Sequence, residues 1–300
     1  DPENPAWMHE GSIKVLIGGR RLHLACVFSP TLQGTAFTMR YVDQAGLRRS
    51  YENVLESLPG NEGQSVEKML RSGRGVILIA GNSGESGFEI LPALLAGAAG
   101  RSGPVLMAGE GLVAPIEGVT QLRAEPGPEG MSATLFSAMR HNPAILAADR
   151  VRDRKSLEAC FLAAPRGLVL AGVSARDGFS TLRWLASLGF KSALKAGLLT
   201  GILEVWNARL PCPRCATPGA CDTTPYAAGE SHAFTRSAGC PACQYGEASS
   251  SEWISGWWGP EEPWGELAEG RMNFGAWLTR RRDLDLPVLG DRLAARAAKG

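Results

Sequence analysis

A glycine-rich loop that follows an apolar run is the part of this chain whose residue types come closest to a known chemistry. Residues 75–88 have the pattern of a buried strand, a loop and a helix, which is the layout of the phosphate-binding motif G-x-x-x-x-G-K-[ST]. Counted from Gly81, the motif's lysine falls on Gly87 and its hydroxyl residue falls on Phe88. The loop therefore lacks the two side chains that hold the outer phosphates and Mg²⁺.

The loop allows two interpretations. As an isolated motif it is typical of any turn between a strand and a helix in a doubly wound sheet. Alternatively, it is a phosphate loop that has lost its chemistry, and Glu85 fits this because it puts negative charge where a triphosphate would lie. We call the following residues the relic loop: Gly81, Asn82, Ser83, Gly84, Glu85, Ser86 and Gly87.

Two C-x-x-C pairs form a second candidate site. Cys212 and Cys215 make one pair, and Cys240 and Cys243 make the other. Four thiolates suit tetrahedral Zn²⁺, and each pair lets two sulfurs approach one ion from a tight turn. We predict a structural zinc site with no open position for substrate. The alternatives are a set of buried free thiols, or a site in which Cys221 or His232, between the pairs, replaces a ligand.

The bulk composition excludes several classes of protein. The chain has 300 residues, 44% hydrophobic and 20% charged, with a net charge of +1. These values fit a globular protein and give no reason to expect a nucleic-acid partner. No apolar run reaches the ~20 residues that span a bilayer. Residues 1–11 lack the features of a signal peptide and look like the cut end of a longer protein. With cysteines clustered for metal, we expect a cytoplasmic protein.

The pattern of apolar residues predicts an antiparallel segment followed by an α/β segment. Alternation within Ser12–Asp43 predicts strands at Ile13–Ile17, Leu22–Phe28 and Ala36–Tyr41. After a polar link at Leu58–Gly63 and a short helix at Ser65–Ser72, near-continuous apolar runs alternate with helices. This predicts a parallel sheet covered on both faces. The strands are Val76–Ala80, Pro104–Ala108, Ala144–Ala148 and Gly167–Val173, and the helices are Phe88–Ala99, Ser132–Arg140, Ser156–Ala163 and Ser180–Ser187.

The last third of the chain is less regular. A helical run is predicted at Ser192–Trp206, before the cysteine pairs, and a helical tail at Met272–Gly300. A dense group of tryptophans between these segments predicts either the core of a small C-terminal subdomain or a docking patch for a partner. The group consists of Trp253, Trp257, Trp258 and Trp264. The four histidines, His9, His23, His141 and His232, form no cluster in the sequence.

This order of parts resembles the secretion ATPases of type II secretion and type IV pilus assembly, the GspE/PilB family. Residues 28–34 followed by Arg40 are similar to that family's S-x-x-P-T…G-E…R segment. Residues 118–121 are similar to G-I-N-Q, residues 136–143 to A-L-R-x-D-P, and residues 151–153 to the end of G-E-I-R-D. The resemblance covers roughly residues 22–243.

The departures from the family fall on its catalytic positions. Besides Gly87 and Phe88, the acidic box E-D-P-V-E falls on residues 109–113, so that Gly109 stands at its first glutamate. The catalytic glutamate falls on Arg150, with Asp149 one residue away, and the histidine of T-L-H falls on Ser174. The resemblance therefore implies a member with no catalytic residues, which is not expected to bind ATP and Mg²⁺.

The resemblance also implies an organisation and a role. We expect a β-rich N-terminal domain over residues 1–58, a RecA-like P-loop core over 59–206, a zinc module over 207–248 and a helical C-terminal region over 249–300. The expected role is that of an inactive structural or regulatory subunit of a secretion or pilus motor. It would lie at the cytoplasmic face of the inner membrane, in contact with an active paralogue or the membrane platform, within a homo- or hetero-oligomer.

Two other hypotheses remain open. The chain could be a working ATPase with a rewired site, in which Asp149 holds Mg²⁺ and Arg74 or Arg101 replaces the lysine. It could also be a binding module that has left the motor. Asp149 could equally cap the next turn or pair with Arg152. Arg152 and Asp153 match the family near an expected subunit contact, or form a local ion pair.

Overall fold

The computed structural model describes most of the chain and contains three sheets. The described residues are 9–17, 20–42, 44–81, 86–99, 103–110, 114–125, 127, 129–175, 177–221, 232–246, 251–283 and 292. Their sheets have three, two and seven strands. The seven-stranded sheet positions the candidate sites.

The N-terminal sheet is an antiparallel meander, as its alternating sequence predicts. Its strands are β1 (His9–Ile17), β2 (Arg20–Thr31) and β3 (Gly34–Val42), in that order across the sheet. The rings of Phe28 and Phe37 face each other across β2 and β3 and stack with their centroids 4.6 Å apart. All three predicted strands are confirmed, each within a few residues of its expected bounds.

Two helices connect this sheet to the larger one. Helix α1 (Gln44–Ser57) was not predicted, because its sequence is mostly polar and shows only a narrow apolar stripe. That stripe, formed by Tyr51 and Val54, is buried. Helix α2 (Glu62–Ser72) contains the short helix that the sequence predicts, and the polar link before it is confirmed.

The seven-stranded sheet is parallel except at one edge. Its order is β12-β9-β4-β8-β7-β5-β6, and β12 alone among these strands runs antiparallel to its neighbour. The strands are β4 (Gly75–Gly81), β5 (Val105–Gly109), β6 (Val119–Arg123), β7 (Ile145–Val151), β8 (Leu168–Val173), β9 (Leu199–Arg209) and β12 (Ser251–Trp258).

Helices cover both faces of this sheet, so that its central strands are buried on both sides. The four helices that follow β4, β6, β7 and β8 are α3 (Ser86–Ala98), α4 (Gly130–Met139), α5 (Arg154–Ala163) and α6 (Gly178–Ser187). Successive residues of β4 enter opposite core clusters: Val76 and Leu78 one, Ile77 and Ile79 the other. The predicted parallel α/β core is confirmed, with the unpredicted strand β6 at its edge.

The helical run predicted at Ser192–Trp206 is wrong. Only the short helix α7 (Lys191–Lys195) lies there, and the chain then enters strand β9 beside β4. A strand buried on both faces gives a continuous apolar run, which periodicity cannot distinguish from a buried helix. Gly201 is a further sign that this segment is a closely packed strand. A Cβ added at Gly201 would lie 2.0 Å from the ring of Trp257. This close approach is possible only for glycine.

The tryptophan group packs into the core of the large sheet. Trp257 and Trp258, successive residues of β12, enter the clusters on opposite faces. Trp258 stacks on Trp277 with a centroid distance of 3.9 Å, and Trp264 is also buried. The tryptophans are therefore core residues, as one interpretation predicts, but they belong to the core of the large sheet and not to that of a separate C-terminal subdomain. Two helices complete this part: α8 (Trp264–Glu269) and α9 (Phe274–Asp283).

The described part of the predicted helical tail is α9, and the tail beyond Asp283 lies outside the described residues except for Arg292. The boundaries between the four predicted domains stay predictions. None of the helices in the described ranges combines the length and the apolar character that crossing a membrane requires.

Candidate functional site

The carboxyl ends of the parallel strands bring together most positions of the first candidate site. Because β4, β5, β7 and β8 are parallel, their C-terminal residues Gly81, Gly109, Val151 and Val173 lie along one edge. Ligands of open α/β sheets bind at this edge. We call it the carboxyl edge.

The relic loop is only partly within the described structure. Gly81 ends β4, whereas Asn82, Ser83, Gly84 and Glu85 lie outside the described residues. Helix α3 begins at Ser86, and Gly87 and Phe88 follow in its first turn. Their side chains also lie outside the description, so the expectation that Phe88 turns into the core stays a prediction. The strand before these residues and the helix after them are confirmed.

Asp149 and Arg150 lie in an irregularity near the end of β7. The pairing of β7 with β8 shifts register between Ala148 and Val151, and bulges of this kind are common beside functional sites. Asp149 is buried and Arg150 is half-buried. Next to them, an added Cβ on Gly172 would lie 2.3 Å from the carbonyl oxygen of Asp149. This short distance explains why position 172 is a glycine. Ser174, two residues later, is exposed.

Charged residues at the same edge make contacts within the protein. An Arg152 guanidinium nitrogen, Nη1, lies 3.5 Å from Glu110 Oε2. Asp153 is the N-cap of α5: its Oδ1 accepts a hydrogen bond from the Ser156 backbone N–H at 2.8 Å, and its Oδ2 accepts one from the Ser156 hydroxyl at 2.7 Å. Arg152 therefore forms an ion pair just after the end of β7, and Asp153 caps the start of α5.

Glu204 is a buried carboxylate at this edge that the sequence analysis missed. It lies on β9 opposite Ala80 and accepts a hydrogen bond of 2.5 Å from the backbone N–H of Gly178, the first residue of α6. Burial raises the pKa of Glu204 to about 7, partly offset by that N–H. Asp177 caps the same helix by accepting from the Ser180 N–H at 2.7 Å. The available signal was a lone glutamate within the apolar run that was interpreted as a helix.

The four predicted cysteines converge. The sulfurs of Cys212, Cys215, Cys240 and Cys243 all lie within 4.8 Å of one another, and we call this group the four-cysteine cluster. Cys243 Sγ lies 3.7 Å from Cys215 Sγ and 3.8 Å from Cys240 Sγ. A tetrahedral site with Zn–S bonds of about 2.3 Å separates its sulfurs by about 3.8 Å. The residues present therefore fit a zinc ion.

Tight turns build the cluster. The N–H of Cys215 donates to the carbonyl of Cys212 at 3.2 Å, and that of Cys243 donates to the carbonyl of Cys240 at 3.1 Å. The second pair opens a short 3-10 helix, Pro241–Gly246. A third bond joins the pairs, because the N–H of Ala238 donates to the carbonyl of Cys215 at 3.0 Å.

The backbone of Cys221 and His232 lies away from the cluster. Between the cysteine pairs the chain forms a hairpin of β10 (Ala216–Cys221) and β11 (His232–Ser237). Cys221 pairs with His232 at the far end of that hairpin, five residue pairs from its base at Ala216 and Ser237. At ~3.4 Å per residue this is roughly 17 Å along the hairpin, so the backbone places neither residue beside the cluster.

Of the two arginines that could replace the missing lysine, the structure describes only Arg74. Arg74 precedes β4 and so lies at the amino edge of the sheet, about 20 Å along the strand from Gly81. It therefore does not replace the missing lysine. Arg101 lies outside the described residues. Within the described ranges, the four-cysteine cluster is the single group of three or more metal-binding side chains.

Comparison with known proteins assigns the chain to a family. The family described as "Type II/IV secretion system protein" matches residues 8–271. The chain belongs to this family. Among individual relatives, the type II secretion system protein HxcR of Pseudomonas aeruginosa is 26% identical over 78% of this chain and 47% of its own length. The type II secretion system ATPase E of Vibrio cholerae is 22% identical over 79% of this chain and 48% of its own length.

A solved structure supports the architecture. The pilus retraction motor PilT, crystallised with ADP, aligns with a TM-score of 0.58 and 12% identity, over 97% of this chain and 74% of that one. At this identity the likeness shows the fold alone, and it confirms the predicted RecA-like class. The chain spans less than half the length of the two secretion relatives named above.

Proposed function

We propose that this chain is a catalytically inactive member of the type II/IV secretion family, with a structural or regulatory role in a secretion or pilus motor. The observation that supports this most strongly is the carboxyl edge. Where a nucleotide's phosphates would need positive charge, the sequence provides Gly87 and Phe88, and the strand ends provide the buried acids Asp149 and Glu204. The fold is kept, and the groups that bind and activate phosphate are replaced.

The size of these losses explains why no single compensation restores the site. A lysine–phosphate contact is charge-assisted and contributes ~1.5–3 kcal/mol. The hydroxyl after it anchors Mg²⁺, and the glutamate orients the attacking water. Arg150 occupies the glutamate's position and reverses the sign of its charge. A nucleotide would therefore lack at once the lysine that contacts its phosphates, the hydroxyl that anchors Mg²⁺ and the glutamate that orients the attacking water.

The second part of the proposal is structural zinc. The donor set and spacing of the four-cysteine cluster suit Zn²⁺, and the ion would be closed to substrate because all four ligands are protein thiolates. The partners would be other motor subunits, either an active ATPase paralogue or the membrane platform protein. The subunit would sit at the cytoplasmic face of the inner membrane, within a homo- or hetero-oligomer.

Nucleotide binding and turnover test the catalytic part. The purified chain should hydrolyse ATP no faster than a buffer blank, and the Vibrio cholerae relative named as an ATPase is the positive control. A triple variant, Gly87→Lys, Phe88→Thr and Arg150→Glu, should stay inactive because the acidic box and histidine are also absent. Hydrolysis by the native chain that Asp149→Ala abolishes would refute the proposal.

That last outcome would instead establish a rewired ATPase, the second candidate. Asp149 favours it, since it is a buried carboxylate at the end of β7, where a Mg²⁺-binding acid would lie. Arg74 does not, because it lies at the opposite edge. Co-purification with an active paralogue from the native host would separate a motor subunit from a detached binding module.

A further inference from the structure

Strand β12 occupies an unusual position in the sheet. It is the edge strand, and it pairs antiparallel with β9 from Ser251 opposite Arg209 to Trp258 opposite Ile202. A long excursion leaves β9 at Arg209 and returns at Ser251, and it contains both cysteine pairs. Within this excursion the structure describes two connections, the β10–β11 hairpin and the four-cysteine cluster, and the first ligand of the cluster lies three residues after β9.

The cluster therefore sits at one end of β12. Cys212 follows β9 and Cys243 precedes β12, and both are buried. Joining these residues through one ion shortens the free loop between two paired strands. A cross-link of this kind lowers the entropy cost of bringing the loop ends together. The cluster lies beyond the paired residues, and so would affect the first pairs of the ladder, near Ser251, most strongly.

A buried ion-pair network holds the other end of β12. Arg281 of α9 is 2% exposed, and its guanidinium contacts the Glu262 carboxylate through Nη1. Its Nη2 donates to the carbonyl of Trp257 at 3.2 Å and lies 3.7 Å from Glu62 Oε1. The backbone N–H of Trp257 in turn donates to Glu62 Oε2 at 3.2 Å. Both backbone groups of one β12 residue are thus bonded by the side chains of Arg281 and Glu62.

Aromatic packing reinforces this end. The Trp277 indole N–H donates to Glu262 Oε2 at 3.0 Å. The Arg281 guanidinium carbon lies 5.7 Å from the centroid of the Trp258 ring and 5.5 Å from that of Trp277, within the range of cation–π attraction. At Trp257 and Trp258, the outer edge of β12 is therefore in contact with α2, α9 and the loop before α8. The opposite end, near Ser251, is held by its pairing with β9 and by the packing of Trp253, and the cluster lies just beyond it.

We propose that metal at the four-cysteine cluster and the Arg281 network are the two ends of one clamp that holds β12 on the sheet. Metal loss then releases the cysteine end, and β12 frays from Ser251 toward Trp258. Fraying uncovers the hydrogen-bonding edge of β9, and full release uncovers Trp257 and Trp258. The device couples metal occupancy to the docking of the C-terminal unit, by which we mean β12, α8 and α9.

This inference rests on the zinc part of the proposed function, and it is independent of catalytic inactivity. The test is hydrogen–deuterium exchange of the purified chain in a buffer with a phosphine reductant, which keeps the thiols reduced. Exchange is compared for zinc-loaded protein, chelator-treated protein and treated protein given zinc again. Metal analysis of the starting sample is done first, so that absence of zinc would count against the cofactor proposal and be distinguished from failure of the clamp.

The expected result is a gradient along β12. Chelation should raise exchange at least tenfold for amides near Ser251–Trp253, and less near Trp257, with reversal when zinc returns. Glu262→Gln, which weakens the Arg281 end, should give the opposite gradient in zinc-loaded protein. Chelation of that variant should raise exchange along the whole strand. Cys221→Ser is the control, because it removes a cysteine at the far end of the hairpin and should leave exchange unchanged.

Two results would overturn the clamp. If zinc leaves and β12 exchange is unchanged, the cluster holds only its own hairpin. If exchange rises equally in β7 and β8, the cluster stabilises the whole domain and no local release exists. Chelation of the native chain keeps both outcomes accessible even if Glu262→Gln does not fold.

Discussion

The four-cysteine cluster and the carboxyl edge both lie where parallel strands of the large sheet end, yet their polar side chains are arranged in opposite ways. In the cluster, four sulfurs converge within 4.8 Å on one point. At the carboxyl edge, Asp153 and Glu204 each turn toward the first turn of a neighbouring helix. The four sulfurs of the cluster face one another, whereas these two carboxylates at the edge accept hydrogen bonds from backbone N–H groups of the protein.

The difference shows what a fold can keep when a site changes. Helix N-termini carry unpaired N–H groups and partial positive charge, which in a phosphate site face the ligand. At the edge of β9 and β8, the N-terminus of α6 is instead satisfied by Glu204 and Asp177. The sheet does not depend on a nucleotide, because its strands are buried on both faces by apolar side chains.

The largest effect is expected from breaking the cluster. Cys212→Ser should reduce bound zinc from about one ion per chain to a small fraction, because structural zinc sites bind with apparent free energies of roughly 10–16 kcal/mol that depend on all four ligands. Strands β7 and β8 should remain folded, since the cysteines lie outside them. Metal analysis and circular dichroism measure both.

The matched control is Cys221→Ser, which should keep its zinc. Equal metal loss in the two variants would mean that cysteine number, and not the cluster geometry, determines binding. A native chain that purifies without zinc and cannot take it up would remove one side of the comparison altogether.

The next effect concerns the pH dependence of the carboxyl edge. The pKa of Glu204 rises from 4.5 to about 7 in the folded chain, so its stabilising contribution is present below pH 4.5 and lost as pH rises through 7. Between pH 4.5 and 7.5 the native chain should lose stability, by up to about 3 kcal/mol from this group. Glu204→Gln should flatten the profile while keeping an acceptor for the Gly178 N–H.

Denaturant unfolding at several pH values measures this. Glu62, whose pKa burial also raises to about 7, leaves a residual slope of the same sign in the variant. Glu269→Gln is the control, because ion pairing with Lys195 lowers the pKa of Glu269 from 4.5 and places its titration below the window. A Glu204→Gln profile as steep as the native one would show that this carboxylate is not the group that titrates.

The sequence predicted the cluster better than the edge, for physical reasons. The spacing of each C-x-x-C pair already places two ligands on one tight turn. Only the approach of the two pairs to each other, such as Cys215 to Cys243, depends on the tertiary fold. Glu204 has no such local signal: its role depends on β9 lying beside β4 and on α6 starting opposite it. The misassigned helical run concealed both facts.

The fold was predicted where the period of the sequence is unambiguous. The alternation in β2 and the βα units from β4 to α6 were found, with α3 following the relic loop as expected. Helix α1 was missed because its apolar stripe is narrow, and β9 because it is uniformly apolar. The position of β12 could not be predicted, since an edge strand joined by a long excursion is determined by tertiary packing.

A smaller effect is expected from removing either of the two aspartates that cap helices at the carboxyl edge. Asp153→Ala and Asp177→Ala should each cost about 1 kcal/mol, the usual value for an N-cap whose side chain accepts a backbone N–H. Asparagine at either position should recover most of the loss, because its side-chain oxygen also caps. Equilibrium unfolding measures the difference. A cost several times larger at Asp153 would indicate a role beyond capping, such as the subunit contact that the family resemblance implies.

The smallest effect is expected at the Arg152–Glu110 pair, and it tests whether the edge retains any exposed charge that matters. The two groups are 3.5 Å apart, and their side chains are 53% and 33% exposed. Water and salt screen such a pair, and exposed ion pairs contribute 0–1 kcal/mol at most. Arg152→Ala should therefore shift the unfolding free energy by less than about 0.5 kcal/mol, and added salt should remove the shift. If Arg152→Ala left stability unchanged but abolished co-purification with an active paralogue, the arginine would act at an interface. The carboxyl edge would then resemble the cluster after all, as a place where side chains are held for something outside the chain.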